Sequence, residues 1–472
     1  MYAIFLGPVG FGIISQLYNF YLLFTSVINL GVPVSTTSEI SKLHSENNSQ
    51  SNLKIASYFR YLTTRLFMLS LVISVILIIF SAYLSQFLVD DKEYYFFIII
   101  MIIAAPFAVI YLILEAFLRS FKEIKMIVKI GVITNVVSTV LLIPLIYYMN
   151  LLGVSIYLLI FGIAPFLLFI IYARDIIKNY FTKNEYILKR TDKLLIFKIG
   201  SISLLSSLIH QGVIILIRKI LITQYGYEQN GIYQSVLSVS ISYFSIIYIF
   251  LTNYTLPKLS ECRDDGNIDS ELNNNLRFLI LMIVPMMLLF LGYKEIGVSL
   301  LFSKNFISAS SLFFPQFIGD LFRVSAALFG LWLIPKRKVK QIIIIDFIFN
   351  SILLGSVYCF IVFLNKSLIY VSYAYALSFS LHFVMYFIYT KYSIKFKIDR
   401  NIMLSFGYSI ISLGIVSYLS AYYIIISYFV TPAVLLIWFL LVVKKYEIIK
   451  MKNLFLSYAN KDNKDIPLKN DN

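Results

Sequence analysis

This sequence predicts an all-α polytopic membrane protein, with two pseudo-repeated helical bundles followed by two C-terminal helices, on three observations. Of its 472 residues, 60% are hydrophobic and only 14% are charged, against roughly 45–50% and 25% in soluble domains. The apolar residues run continuously over about 20 positions at a time, the length an α-helix needs to cross the hydrocarbon. They do not alternate over ten-residue stretches as membrane-barrel strands do. The third observation is a pattern used twice. Gly7-x4-Gly12 is followed by the charged stretch Lys42-Leu43-His44-Ser45-Glu46, and Gly226-x4-Gly231 by Lys258-Leu259-Ser260-Glu261. Each copy turns through glycine, crosses an apolar span and ends in what reads as a charged loop.

Thirteen spans follow in chain order. The first, 11–35, begins just after the turn at Gly7; since only Met1 to Leu6 precede that turn, the first bundle is expected to lack its opening helix. Spans 62–89, 94–118, 126–149 and 152–173 complete this N-terminal bundle, residues 1–173. The polar stretch 174–193 is the expected basic cytoplasmic linker. A whole apolar helix, 194–223, then precedes Gly226, so the second bundle, 194–391, has six spans. The other five are 230–256, 277–301, 311–335, 341–364 and 368–390. Two extra spans, 402–425 and 427–443, occupy 392–443. Residues 444–472 are expected to be a cytoplasmic tail, with too little apolar content to fold alone. Two repeated bundles suit a carrier in which one half rocks against the other around a central site.

A net charge of +16 takes its meaning from its distribution. If the loop holding Lys42 is cytoplasmic, the large majority of the 40 Lys and Arg fall in alternate segments on that side. These are Arg119 to Lys129, the linker from Arg174 to Lys198, Pro335-Lys336-Arg337-Lys338, Lys391 to Arg400 and the tail from Lys444. Loop bias of this kind fixes orientation. The charge therefore reports topology and contact with anionic membrane lipids, and no nucleic acid partner is expected. No basic n-region follows Met1, so no secretory signal peptide is expected.

Enzymatic function is not expected. The longest outer loop, Gly292 to Ser310, leaves no room for a catalytic domain. His44, His210 and His382 lack metal-ligand spacing, and no Walker A, serine elbow or paired-cysteine motif occurs. Neither a metal nor another cofactor is implied, and the chain offers no basis for ATP-driven pumping.

Ionisable and amide groups inside the spans are the best local clues, because a charge in hydrocarbon costs about 2.5–3.5 kcal/mol on insertion scales. Gln316, Gly319, Asp320 and Arg323 share a helix face by their spacing of three and four. Asp320 and Arg323 can simply neutralise one another; alternatively Arg323 attracts an anion while Asp320 changes partner or protonation. Asp346, without an obvious local partner, is a candidate for ion coupling or for the cytoplasmic surface. His210 is a packing residue or a proton-sensitive one. Of the neighbours Arg218 and Lys219, which point about 100° apart, one can snorkel while the other faces a cavity. Gln16, Asn19 and Gln234 follow the glycine turns and serve either as glue between helices or as sugar contacts. Glu115 reads as the i,i+4 partner of Arg119. Most of the 36 Tyr and 41 Phe belong to lipid-facing surfaces and interfacial belts.

Gly226-Tyr227-x3-Gly231-Ile232-Tyr233-Gln234, Leu256-Pro257-x-Leu259-Ser260 and Gln316-x2-Gly319-Asp320-x2-Arg323, in that order, resemble the O-antigen translocases, Wzx-type flippases of lipid-linked oligosaccharides. Leu6-Gly7-Pro8-x-Gly10-x-Gly12 is the matching feature of the first bundle, and the resemblance spans about residues 5–390. It implies an alternating-access carrier that moves an undecaprenyl-diphosphate-linked oligosaccharide across the bacterial inner membrane, coupled to an ion gradient, beside other glycan assembly proteins. It also implies a cationic central cavity. Arg218, Asp320, Arg323 and Asp346 match polar positions of the family; taken with the readings above, the candidate substrate contacts are Arg218, Arg323, Gln16, Gln234 and Gln316, and the candidates for ion coupling are Asp320, Asp346 and His210. Ile241 stands where some relatives carry an acid. The alternatives are a multidrug exporter of the same superfamily, which calls for an acidic cavity, and a membrane polysaccharide polymerase or ligase, which calls for a large outer loop.

Overall fold

A computed structural model describes residues 2–46, 48–174, 187–262, 265–336 and 338–443. The expected cytoplasmic tail, 444–472, and the centre of the expected linker, 175–186, lie outside the described residues. Within them the chain forms helices and no strand. The helices of the first half are α1 (Tyr2–Asn29), α2 (Val32–Glu46), α3 (Ser49–Ile79), α4 (Ser81–Val89), α5 (Tyr95–Ser120) and α6 (Ile124–Tyr172). The second half holds α7 (Arg190–Phe250), α8 (Leu256–Glu261), α9 (Asp265–Gly292), α10 (Lys294–Leu301), α11 (Phe313–Leu331), α12 (Val339–Tyr358) and α13 (Ile369–Ile394). Two more, α14 (Arg400–Tyr422) and α15 (Ile424–Val442), follow.

Eleven of the helical stretches are long and apolar enough to cross a membrane. Two of them are hairpins, so the apolar arms among the described residues number thirteen, matching the spans the sequence predicts. The 49 residues of α6 would extend about 74 Å as one straight helix, but Asn150 leaves helical geometry at φ 48°. Leu145 O consequently lies 1.9 Å from where a Cβ on Gly153 would sit. In α7 the break is Gly226 (φ 82°, ψ 178°); residues 218 and 234, about 24 Å apart along a straight helix, are hydrogen-bonded across it. Gly7 has nearly the same conformation (φ 65°, ψ −175°). This region is essentially closed to any residue with a Cβ, which is why both copies of the pattern begin with glycine.

The second glycine of each copy does something different. A Cβ on Gly12 would lie 2.1 Å from Tyr227 O, and one on Gly231 would lie 1.8 Å from Pro8 O. The two repeats therefore cross one another backbone to backbone, each contributing the glycine that lets the other approach. From this crossing α1 runs alongside the first arm of α7. Ser207 Oγ donates to Ser26 Oγ at 3.0 Å, and a Cβ on Gly31 would meet Gly200 O at 2.0 Å.

Three sequence expectations are corrected. The charged ends of the repeated units are not loops: Lys42 to Glu46 lies in α2 and Lys258 to Glu261 in α8. The span at 11–35 stops at Asn29, because Leu30 and Gly31 (φ 51° and 67°) turn the chain into α2. Most of Gly292 to Ser310 is not an open loop either but α10 and the 3-10 segment Lys304–Leu312, which buries Phe306.

Each half has its own apolar core. The first is built around Phe59, Phe117 and Phe169, and the second around Phe313, Phe317, Phe329 and Trp332. In the second, α11 and α13 pack so closely that a Cβ on Gly319 would lie 2.5 Å from the Tyr375 ring. The C-terminal pair docks on α9: Arg277 Nη1 donates to Ser405 Oγ at 3.0 Å, and its Nη2 donates to Val442 O.

Candidate functional site

The glycine crossing places a buried cation between the bundles. Arg218, on the first arm of α7, is 3% exposed. Its Nη1 donates to Ser15 Oγ of α1 at 2.8 Å and to Asn230 Oδ1 at 3.4 Å, while Nη2 donates to Gln234 Oε1. Asn230 Nδ2 in turn donates to Gly12 O at 2.8 Å. These partners are all neutral, and Nε has none. A guanidinium held this way keeps its full charge and an unused donor, the condition under which it attracts an anion. Lys219 points elsewhere, to Asp90 at the end of α4.

Two of the groups holding Arg218, Ser15 and Gln234, line a cavity of about 420 Å³. Tyr18, Asn135, Tyr157 and Ser238 supply the rest of its polar wall, and among the described residues no carboxylate lines it. Because Gly226 folds α7 back on itself, Arg218 on the first arm meets Gln234 on the second, and it is Gln234 that lines the cavity while Arg218 stands behind it.

A second polar assembly runs through the interior of the second bundle. Asp320 is fully buried on α11. Ser240 Oγ lies 2.7 Å from both of its oxygens, and Tyr375 OH donates to Oδ1 at 2.7 Å. Arg323 stands one turn on, its Nη1 3.9 Å from Asp320 Oδ1 and donating to Tyr375 OH at 3.1 Å. Its guanidinium lies over the Phe379 ring at 5.6 Å.

Farther along, Tyr386 OH donates to Asp346 Oδ1 at 3.1 Å and His382 Nε2 lies 3.3 Å from the same oxygen. The His382 ring stacks on Phe349 at 4.2 Å, and its Nδ1 is buried without a partner. Asn350 Nδ2 donates to the Asp346 carbonyl at 2.7 Å, and Asn350 Oδ1 lies 3.2 Å from His210 Nδ1. Asp346, which the sequence left without an obvious partner, thus has two on α13.

The residues singled out from sequence fall into three places. Arg218 and Gln234 meet behind the cavity, whose wall includes Gln234, whereas Asp320, Arg323, Asp346 and His210 gather inside the second bundle. Gln16 and Gln316 are fully buried and line neither. Gln16 Nε2 donates to Leu88 O and Ile215 O at 3.3 Å each, which is helix-to-helix bonding across the bundles. Both amide atoms of Gln316 lack partners one turn before Asp320. Glu115 accepts from Arg119 Nε at 3.1 Å. Sequence reasoning missed Ser15, Asn230, Tyr375, His382 and Tyr386. A signal existed for the last three: Tyr375, Phe379, His382 and Tyr386 repeat at helical spacing on one face of α13, as Asp346 and Asn350 do on α12.

Comparison with known proteins places these features in context. The model of a family described as polysaccharide biosynthesis protein matches residues 2–311. A 132-residue segment, 28% of this chain, is 30% identical to the lipid III flippase of Escherichia coli (strain K12), covering 32% of that protein. The lipid III flippase of Shigella flexneri matches equally. The chain thus spans about a third of the length of these curated relatives. Among solved structures, an inward-facing multidrug resistance MATE family transporter of the MOP superfamily superposes with a TM-score of 0.73 at 14% identity, over 84% of this chain and 93% of that one. The lipid II flippase MurJ in an inward closed conformation gives 0.65 at 15% identity, over 91% and 95%. At such identities the likeness is one of fold.

Proposed function

Because the chain belongs to the polysaccharide biosynthesis protein family, we propose that it is a multi-pass flippase that carries an undecaprenyl-diphosphate-linked oligosaccharide across the bacterial inner membrane. The observation that carries this reading is Arg218: a buried cation bonded only to neutral groups, at the crossing of the two bundles, behind a polar cavity. A diphosphate and its sugars cannot pass through hydrocarbon unaided, because each desolvated charge costs several kcal/mol or more. The carrier offers the head group a wet, cationic path while the lipid tail stays in the bilayer. On this reading the diphosphate replaces Ser15 and Gln234 as partner of Arg218, and Arg323 receives it as the bundles rock about the glycine crossing.

The carboxylates of the second bundle suit ion coupling. Asp346 stands between a histidine and a tyrosine, and Asp320 between a serine, a tyrosine and an arginine, so binding or losing a cation at either redirects several hydrogen bonds at once. A multidrug exporter of cationic amphiphiles fits less well, since the cavity has no acidic wall. The test is a pair of assays on Arg218→Gln. Loss of lipid-linked oligosaccharide translocation without loss of the folded protein supports the reading, and drug resistance that depends on Arg218 favours the exporter.

A further inference from the structure

A second basic site lies away from the cavity, at the expected cytoplasmic end of α3. A pocket of about 340 Å³ there is lined by Arg60, Arg65 and Lys193 together with Ser57, Tyr61 and Thr64, and by no carboxylate. Residues 57, 60, 61, 64 and 65 share one face of α3 by helical spacing. Lys193 comes from the first turn of α7, its Nζ 4.9 Å from the Tyr61 ring centroid. Neither Arg60, Arg65 nor Lys193 has an ion-pair partner among the described residues.

The walls are fixed in place. Lys54 Nζ bonds Asp192 Oδ1 at 2.8 Å, and Tyr58 OH donates to Asp192 O at 3.3 Å, which ties α3 to the start of α7. Asp192, the acid nearest Lys193 in sequence, is thereby engaged by Lys54 rather than by the three cations of the pocket. Arg60 and Arg65 are exposed, so the site opens to the surroundings rather than to the protein interior. Beyond Arg65 the exposed face of α3 is continuously apolar through Met68, Leu71, Val72, Val75 and Ile76. A cationic, hydroxyl-lined pocket that runs into an apolar track has the two-part chemistry of one phosphate-bearing lipid.

We propose that this pocket binds the phosphate of an anionic membrane lipid in the cytoplasmic leaflet, with the acyl chain lying along α3. The arginines grip the phosphate oxygens as forked donors, and Thr64 and Tyr61 line the same pocket. A soluble phosphate would find the same cations but gain nothing from the apolar track. The site joins the first bundle to the segment that begins the second, so an occupied pocket braces that junction.

Photo-crosslinking in nanodiscs tests this. The full chain is placed in phosphatidylcholine discs containing a phosphatidylglycerol with its photoreactive carbon near the glycerol end of the acyl chain, and labelled peptides are mapped. Labelling is expected on α3 between residues 60 and 72. It should fall roughly fivefold in Lys193→Gln and about 25-fold in the Arg60→Gln, Arg65→Gln double variant, since each basic group near the surface contributes about a fivefold preference for anionic lipid. The Arg60→Lys, Arg65→Lys variant retains most of the labelling, which separates lost charge from lost folding. Equal labelling by a matching phosphatidylcholine probe, or unchanged labelling in the double glutamine variant, overturns the proposal. So does displacement of the label by millimolar inorganic phosphate, which would make the ligand a soluble one.

Discussion

Replacing Gly231 with alanine strikes the contact on which the two bundles turn. The new Cβ would stand 1.8 Å from Pro8 O and 3.0 Å from Gly12 N, so the backbones must separate by about 1.6 Å to reach the ~3.4 Å of an ordinary contact. Both neighbours are backbone atoms, and no rotamer change relieves the clash. Overpacking of this kind costs typically 1–3 kcal/mol; the upper end applies here. The separation also stretches the Asn230 Nδ2 to Gly12 O hydrogen bond from 2.8 Å, which adds about 1 kcal/mol. Gly212, on the same helix, provides the control, for a Cβ there meets nothing within 4 Å. Gly212→Ala should be neutral or gain about 0.5–1 kcal/mol from helix propensity. The assay is unfolding of purified protein in mixed micelles of graded denaturing detergent. Gly231→Ala should lose about 4 kcal/mol relative to Gly212→Ala, any gain in helix propensity being common to both, and Gly12→Ala a comparable amount. If Gly231→Ala unfolds together with Gly212→Ala, the crossing is not the close contact described.

The other glycine of the repeat fails for a different reason. Gly226→Ala meets open space but imposes φ 82° on a residue with a Cβ, so it should cost about 1–3 kcal/mol in the same detergent titration. Arg323→Ala should abolish display of the surface glycan in cells while protein abundance in the membrane stays at the wild-type level; normal display would remove Arg323 from the transport path. Asp346→Asn and His382→Gln act on the same hydrogen-bonded pair and should each make initial transport rates indifferent to an imposed ion gradient. A variant that keeps the full gradient response excludes that pair from coupling.

Much of the architecture was legible because hydrocarbon imposes its demands on every residue of a span. The runs in α5, α6 and the second half of α9 are almost wholly apolar, and the two glycine turns announced themselves as a repeated spacing. Helix ends were harder. The end of α1 is marked locally by Gly31 and Pro33, and Gly31 N donates to Asn29 Oδ1 at 2.8 Å, but the apolar run continuing to Val34 obscures it; contact with Gly200, some 170 residues away, holds the turn in place. The charged ends read as loops because polarity was taken for irregular backbone, whereas α2 is a helix with an ordinary solvated face.

Within the candidate sites, the intramembrane charges were found because charge is costly there; helical angle showed that Arg218 and Lys219 face different ways but not which of them turns inward. Their neutral partners were not. Ser15 and Asn230 are common residue types whose importance appears only when α7 folds back and α1 crosses it. Asp346 shows the same limit, since its partners His382 and Tyr386 lie on another helix. Gln16 and Gln316 stand apart from the cavity. Both resemble ligands in sequence, yet one bonds backbone carbonyls and the other is sealed inside the second bundle.

On the proposed function, Arg218 serves an anionic lipid-linked glycan as it crosses between the bundles. Proteoliposomes loaded on their inner leaflet with undecaprenyl-diphosphate-linked oligosaccharide, and challenged from outside with a glycan-cleaving enzyme, measure it directly. The wild-type chain should expose the inner pool with time, while Arg218→Gln, folded and inserted to the same extent, should leave it protected as in protein-free liposomes. Exposure by Arg218→Gln at the wild-type rate would contradict the account.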